Sequence, residues 1–395
     1  MYWQSRQQLV APVQSVRFAV KPPSPGAEKG ATIRRGFSHA FPAEPSPFVS
    51  SRVNTTVADM AATGGTVDAA LEELISTFNE LNSATVEEFD SEPSPLEFMR
   101  FASRNAPFVI RGGASSWKAC RKWDAAYLKA ALAGEFVNVA VTPHGNADSP
   151  TFSPAHQRLV LAKPHEESQS FDKFLDYVID QETDPAFPLD AETRYAQTQN
   201  DNFRDEYLTL FPDAQKDIPF ARIALQKAPD AINLWIGNSK SVTATHKDNF
   251  ENIFVQVRGR KHFVLLPPLC QPCMNEKLLP PATYVRRPQS GGFSLEVDEG
   301  KEPVPFVTWD PEDLSSNATS LSRLANPMHV TLEPGDMLYL PAMCLTTRYH
   351  KVSQSCIPGD EGFVVAINYW YDMEFSGTLY PLASFLRNLG RACDK

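Results

Sequence analysis

The sequence predicts a mainly β domain of sandwich or barrel type with helices flanking it. Three observations carry that expectation. Between Thr193 and Tyr371 run seven short segments rich in aliphatic and aromatic residues, each punctuated by Gly or Pro. Segments with apolar residues three and four apart stand before and after them, as amphipathic helices require. A hydrophobic content of 42% over 395 residues is ample for a real core, while every long apolar run is broken well short of the roughly 20 residues that cross a membrane.

Taken in order, residues 1–59 are rich in Pro and Ser and carry seven basic against three acidic residues. They read as a disordered or targeting leader. Prolines at 12, 22, 23 and 25 spoil a continuous amphipathic helix of the mitochondrial type, and translation from Met60 would omit the leader altogether. The folded domain is expected over 60–395. Its helical N-terminal region (about 67–180) holds helices at Val67–Asn82, Pro95–Arg104, Trp117–Leu132 and Phe171–Ile179, with strands at Phe108–Ile110 and Phe136–Val141. A β core (about 190–373) follows, with strands at Thr193–Thr198, Ala231–Ile236, Ile253–Val257, His262–Leu266, His329–Leu332, Met337–Leu340 and Phe363–Tyr371. Arg258-Gly259-Arg260 reads as the turn of a hairpin, and Pro280–Pro311 as a long insert between strands. The closing helix (about 378–390) places Leu382, Phe385, Leu386 and Leu389 on one stripe.

The net charge of −10 argues against a grip on nucleic-acid phosphates and suits a basic peptide or other cationic partner. The six cysteines are scattered along a long chain, which favours a reduced, intracellular setting. Cys270-Gln271-Pro272-Cys273 has neither a second pair nor a flanking histidine to complete a zinc set, and reads as structural.

Eight histidines among 47 acidic residues yield about one His-x-Asp/Glu triplet by chance, and the chain has two. His165-Glu166-Glu167 stands ahead of a helix, where a carboxylate simply neighbours the first turn. His246-Lys247-Asp248 lies between strand candidates. On an extended chain its first and third residues share a face and can meet one ion. Two histidines and one carboxylate leave three coordination positions open, as iron(II) oxygenases need. His350, beyond the strand that ends at Pro341, is the candidate third ligand, although a histidine beside an apolar strand is as often a hydrogen-bonded core residue.

Three stretches together resemble the cupin-type Jumonji-C hydroxylases: Val242–Ile253 continued through Gly259-Arg260-Lys261-His262-Phe263 to Pro268, then Gly335–Pro341, then Ala366–Met373. The resemblance spans roughly 67–390. It implies a double-stranded β-helix (jelly-roll) core and an enzyme using iron(II), 2-oxoglutarate and dioxygen, with His246, Asp248 and His350 as iron ligands. It also implies that Lys261 pairs with the distal carboxylate of 2-oxoglutarate beside the hydroxyls of Thr243 and Tyr195, and that Asn252 and Asn368 line the cosubstrate pocket. The implied reaction is hydroxylation of a lysine in a protein partner, on a translation-associated GTPase, by a homodimer joined through its C-terminal helices. Demethylation or cleavage of basic histone tails is the rival enzyme reading, and a non-catalytic cupin-fold binding module the rival of another class. The expected location is cytoplasmic or nuclear, or mitochondrial with a true leader.

The family places about three residues between Leu-Pro-Ala and the distal histidine. Here Met343–Tyr349 puts seven there. Four additional residues must bulge outward or shift His350, and a retained piece of intron would account for them.

Overall fold

A computed structural model describes residues 67–287, 291–313, 316–351 and 361–393, the side chains of 347–351 and 391–393 excepted. The expected leader, Cys356 and the side chain of Cys393 lie outside that description. Residues from Gly65 onward form one compact unit.

Eight strands make the core: β1 (Ala231–Gly237), β2 (Val242–Lys247), β3 (Phe250–Arg258), β4 (Arg260–Leu266), β5 (Met328–Leu332), β6 (Met337–Leu340), β7 (Leu345–Lys351) and β8 (Val364–Asp372). They split into two antiparallel sheets. One has the order β6-β3-β8-β1, extended beyond β6 by the short strands Phe108–Ile110 and Glu87–Phe89; the other runs β5-β4-β7-β2. The chain alternates between the sheets at almost every step, which is the winding of a double-stranded β-helix. Trp235, Phe254, Leu338 and Trp370 from one sheet and Phe263 and Leu265 from the other meet Tyr195, of the strand Thr193–Tyr195, in one apolar cluster between them.

The larger sheet is buried on its outer face as well. Ile232, Leu234, Val255, Ile367 and Tyr369 pack there against Phe98, Phe174 and Trp117 from the N-terminal region. Burial on both faces explains why β8 reads as an unbroken apolar run rather than an alternating one. Helix α1 is Val67–Leu81, α2 Pro95–Arg104, α3 Phe171–Thr183 and α4 Leu379–Cys393. Ser94 and Glu97 close a capping box at the start of α2, and Asn105 ends it in the left-handed conformation at φ 52°. No helix among the described residues is long and apolar enough to cross a membrane.

Three expectations change. Arg258-Gly259-Arg260 does not close a hairpin: β3 pairs with β6 and β8, whereas β4 pairs with β5 and β7. The turn is the corner where the chain leaves one sheet for the other. Gly259 takes it at φ 63°, and a Cβ there would come within 2.9 Å of Val364 Cγ2. The insert after β4 is ordered as strands Glu276–Leu279, Pro281–Arg286, Phe293–Val297 and Val304–Val307. Two of these join Arg158–Lys163 and Ser149–Ser153 in a further sheet. The N-terminal region is mixed rather than helical, because 149–170 holds three strands where local composition signals none. His165-Glu166-Glu167 lies on the last of them, His165–Ser170, whose polar residues pair with Phe136–Thr142; neighbouring backbone overrides weak β-propensity there.

Gly259→Ala is expected to destabilise the domain by about 1–3 kcal/mol, since it meets both a left-handed backbone and a filled corner. Chemical denaturation monitored by tryptophan fluorescence measures it, and an unchanged midpoint would contradict the corner geometry.

Candidate active site

His246 lies near the end of β2 and Asp248 just beyond it, their side chains 14% and 9% exposed, with His246 Nε2 3.6 Å from Asp248 Oδ2. His246 Nδ1 donates to the carbonyl of Ala244 at 2.8 Å. A carbonyl only accepts, so the ring proton sits on Nδ1 and Nε2 keeps its lone pair on the side of the carboxylate, the tautomer a metal-ligating histidine needs. Lys247, between them, is turned elsewhere, its Nζ donating to Gln271 at 3.0 Å. The carbonyl of Asp248 accepts from Met343 N at 2.7 Å. Glu251 fastens the same corner by accepting from Tyr339 OH at 2.6 Å and Ala342 N at 3.1 Å.

A bulge sets which side chains share the site. Opposite β7, Thr346 pairs with His246 and Arg348 with Thr243, so two intervals of β7 match three of β2. The additional residue on β2 brings Thr243 and His246 to the same face, where a regular strand would have put them on opposite faces. That face looks between the sheets, since the same β7 positions are paired on the other side with buried Leu265 and Phe263.

Lys261, on β4, has no exposed surface. Its Nζ lies 3.4 Å from Tyr195 OH and 5.0 Å from the centre of the Phe254 ring. Tyr195 stacks on Trp235 with centroids 6.1 Å apart. Trp235 Nε1 donates to Asn368 Oδ1 at 3.0 Å, and Asn233 Nδ2 does so at 3.3 Å. Both polar atoms of Asn252, together with Asn368 Nδ2 and Thr346 Oγ1, are buried with no hydrogen-bond partner among the described residues. Buried polar atoms in a native core are nearly always satisfied. These four atoms lie on β3, β7 and β8 and keep hydrogen-bonding capacity that a polar ligand could use.

Thus His246 stands with Asp248, Lys261 with Tyr195, and Asn368 with Trp235. His350 is placed only by its backbone, which pairs with Lys261, four residues along β7 from the position opposite His246. On a strand that is roughly 13 Å. Among the described residues no three His, Cys, Asp or Glu side chains gather as a metal set. Sequence reading passed over Trp235, whose indole both backs Tyr195 and orients Asn368. Its signal lies in Gly237, two residues on, where a Cβ would come within 2.6 Å of the Tyr195 ring. Cys270 and Cys273 are buried in the short 3-10 helix Pro268–Met274, and the hydrogen bond with the neighbouring Cys270 thiol, together with burial, pushes the Cys273 thiol far above its ordinary range. That suits a structural role and not a redox one.

A cupin-like domain family matches residues 93–377. The chain belongs to the cupin-like family, in its JmjC branch, and is an enzyme of the dioxygenase class found there. It is 38% identical to an Arabidopsis thaliana protein named lysine-specific demethylase JMJ32, over 81% of this chain and 91% of that one. It is 36% identical to the human bifunctional peptidase and (3S)-lysyl hydroxylase JMJD7, over 78% and 93%. JmjC domain-containing protein E of Dictyostelium discoideum is 31% identical over 75% and 86%.

Gly237→Ala is expected to displace the Tyr195 ring from Trp235 and to cost about 1–3 kcal/mol. Denaturation gives the cost and the tryptophan emission maximum reports the displacement; neither would move if Gly237 had space beside it.

Proposed function

We propose that this chain hydroxylates a lysyl side chain of a protein substrate, using iron(II), 2-oxoglutarate and dioxygen. The observation that carries the reading is Lys261: a fully buried ammonium, with a tyrosine hydroxyl beside it, on the inward face that also holds Thr243 and His246. A dicarboxylate suits that arrangement, one end on the ammonium and the other on a metal at His246 and Asp248. The iron ligands in this reading are His246 and Asp248; His350, which the family resemblance implies as the third, has its backbone on the rung of Lys261, roughly 13 Å along β7 from the position opposite His246. When bound, the iron and 2-oxoglutarate supply the dioxygen activation that cleaves an unactivated C–H bond.

The protein's own part is to bind and orient. Lys261 and Tyr195 fix the distal carboxylate, with Thr243 beside them; Asn252 and Asn368 offer unused polar atoms to the ligand; Phe254, Trp235 and Trp370 exclude water. The acidic bulk of the chain favours a basic target, and a translation-associated GTPase is the substrate class that the family resemblance suggests. We further infer a homodimer through α4, where Leu382 and Phe385 are exposed while Leu386 and Ala383 pack inward. A monomeric mass in sedimentation would sink that inference.

Lysine demethylation is the second reading, favoured by the name that the Arabidopsis relative carries. Intact mass of a candidate substrate separates the possibilities: a gain of about 16 Da coupled to succinate means hydroxylation, formaldehyde means demethylation, and fragments carrying water mean peptide cleavage. Expected is the first, abolished in His246→Ala together with metal binding. Lys261→Met should leave metal binding intact while raising the KM for 2-oxoglutarate by roughly 100-fold, the loss typical of removing one partner from a buried charge pair. Full activity in either variant would refute the assignment.

A further inference from the structure

We propose that His262 and His329 form a second metal site, for a divalent transition cation of the zinc or copper type, on the outer face of the smaller sheet. β4 and β5 are antiparallel, with His262 opposite Thr331 and Val264 opposite His329. The two histidines are therefore diagonal neighbours on one face. It is the face away from the active site, because Phe263 and Leu265 on β4 and Met328, Val330 and Leu332 on β5, the alternate positions, belong to the apolar cluster between the sheets. The rings lie within 27° of parallel, and His262 Nε2 is 3.3 Å from His329 Nδ1.

That separation is what a metal requires. Two imidazole nitrogens, each about 2.0–2.1 Å from a tetrahedral ion, stand about 3.3 Å from one another. The pair is also held as ligands are held. His262 Nδ1 lies 3.0 Å from Thr331 Oγ1; with that hydroxyl accepting, the proton is fixed on Nδ1 and the lone pair of Nε2 faces His329. Without metal, His329 donates its Nδ1 proton to His262. A cation displaces that hydrogen bond once the proton moves to Nε2 of His329, a tautomeric change that leaves the ring neutral.

The third donor is at hand. Glu312 Oε1 is 3.9 Å from His329 Nδ1, and both side chains are close to half exposed, so the carboxylate can swing in by a change of rotamer. An access path exists too: His329 lines a surface cavity of about 560 Å³ beside Thr331, Glu88 and Glu333. Two imidazoles and one carboxylate select borderline ions such as Zn²⁺ and Cu²⁺ over Mg²⁺ or Ca²⁺. A bound ion would staple β4 to β5 directly behind Lys261, so occupancy stabilises the strand that carries the buried cation.

Zn²⁺ titrated calorimetrically into the metal-stripped full chain provides the test, with His246→Ala used to remove the active-site ion. In that background one Zn²⁺ site is expected to remain and to raise the melting temperature. Adding His329→Ala should weaken it at least tenfold and erase the thermal shift, and Glu312→Gln should weaken it to a smaller degree. Because His329 is exposed, its replacement leaves the fold intact, which circular dichroism checks. Zn²⁺ binding that His329→Ala does not alter, or no Zn²⁺ binding by folded His246→Ala protein, overturns the proposal. Neither result bears on the active-site reading, which stands or falls on iron binding in the chain that retains His246.

Discussion

The buried ammonium of Lys261 is the constraint around which the interior is organised. Removing such a cation from water costs several kcal/mol unless nearby groups compensate, so its surroundings must hold a fixed arrangement. The face of Phe254 and the hydroxyl of Tyr195 supply part of that compensation. Tyr195 in turn is held by Trp235, Trp235 by Asn368, and the approach of Tyr195 to β1 is open only because position 237 is glycine. One charged group thereby couples β1, β3, β4 and β8. A polar ligand bearing negative charge at this point completes the pattern under the proposed reading, since it also satisfies Asn252 and Asn368.

The other half of the site depends on backbone geometry rather than on charge. His246 and Asp248 are two residues apart and converge as an extended chain requires. Thr243 joins them only because β2 bulges against β7. The same strand pair decides where β7 presents its residues. Thr346, buried and without a hydrogen-bond partner among the described residues, stands opposite His246, while the backbone of His350 shares a rung with Lys261. Of the seven residues Met343–Tyr349, unusual beside the family's spacing, the last five (Leu345–Tyr349) are thus taken up by strand rather than by an outward loop.

Much of this was readable along the chain. The seven strand segments of the β region, the amphipathic helices near 67–81 and 379–393, and the helix Pro95–Arg104 all follow from local periodicity and from residues whose effect is local. His246-Lys247-Asp248 was readable for the same reason. The strands within 149–170 and 276–307 were not. Their residues have weak β-propensity and gain it from the edges they pair with. The mistaken hairpin at Gly259 has a related cause: a tight turn between two apolar strands looks the same in sequence whether the strands pair with each other or with different partners.

By itself the sequence determined the seven apolar strand segments and the flanking amphipathic helices, that a histidine and a carboxylate meet on one short extended segment, and, through family resemblance, that the domain is a JmjC-type oxygenase; the strands β2 and β7 were not among them. These depend on neighbours one to four residues apart. Only the tertiary structure decided that Lys261 is interior rather than a solvated turn residue, that a bulge brings Thr243 to the side of His246, that Trp235 and Gly237 shape the pocket, and that His262 faces His329. Each of those depends on strand register, and register is settled by long-range pairing across two sheets, where a shift of one residue turns every side chain to the opposite face.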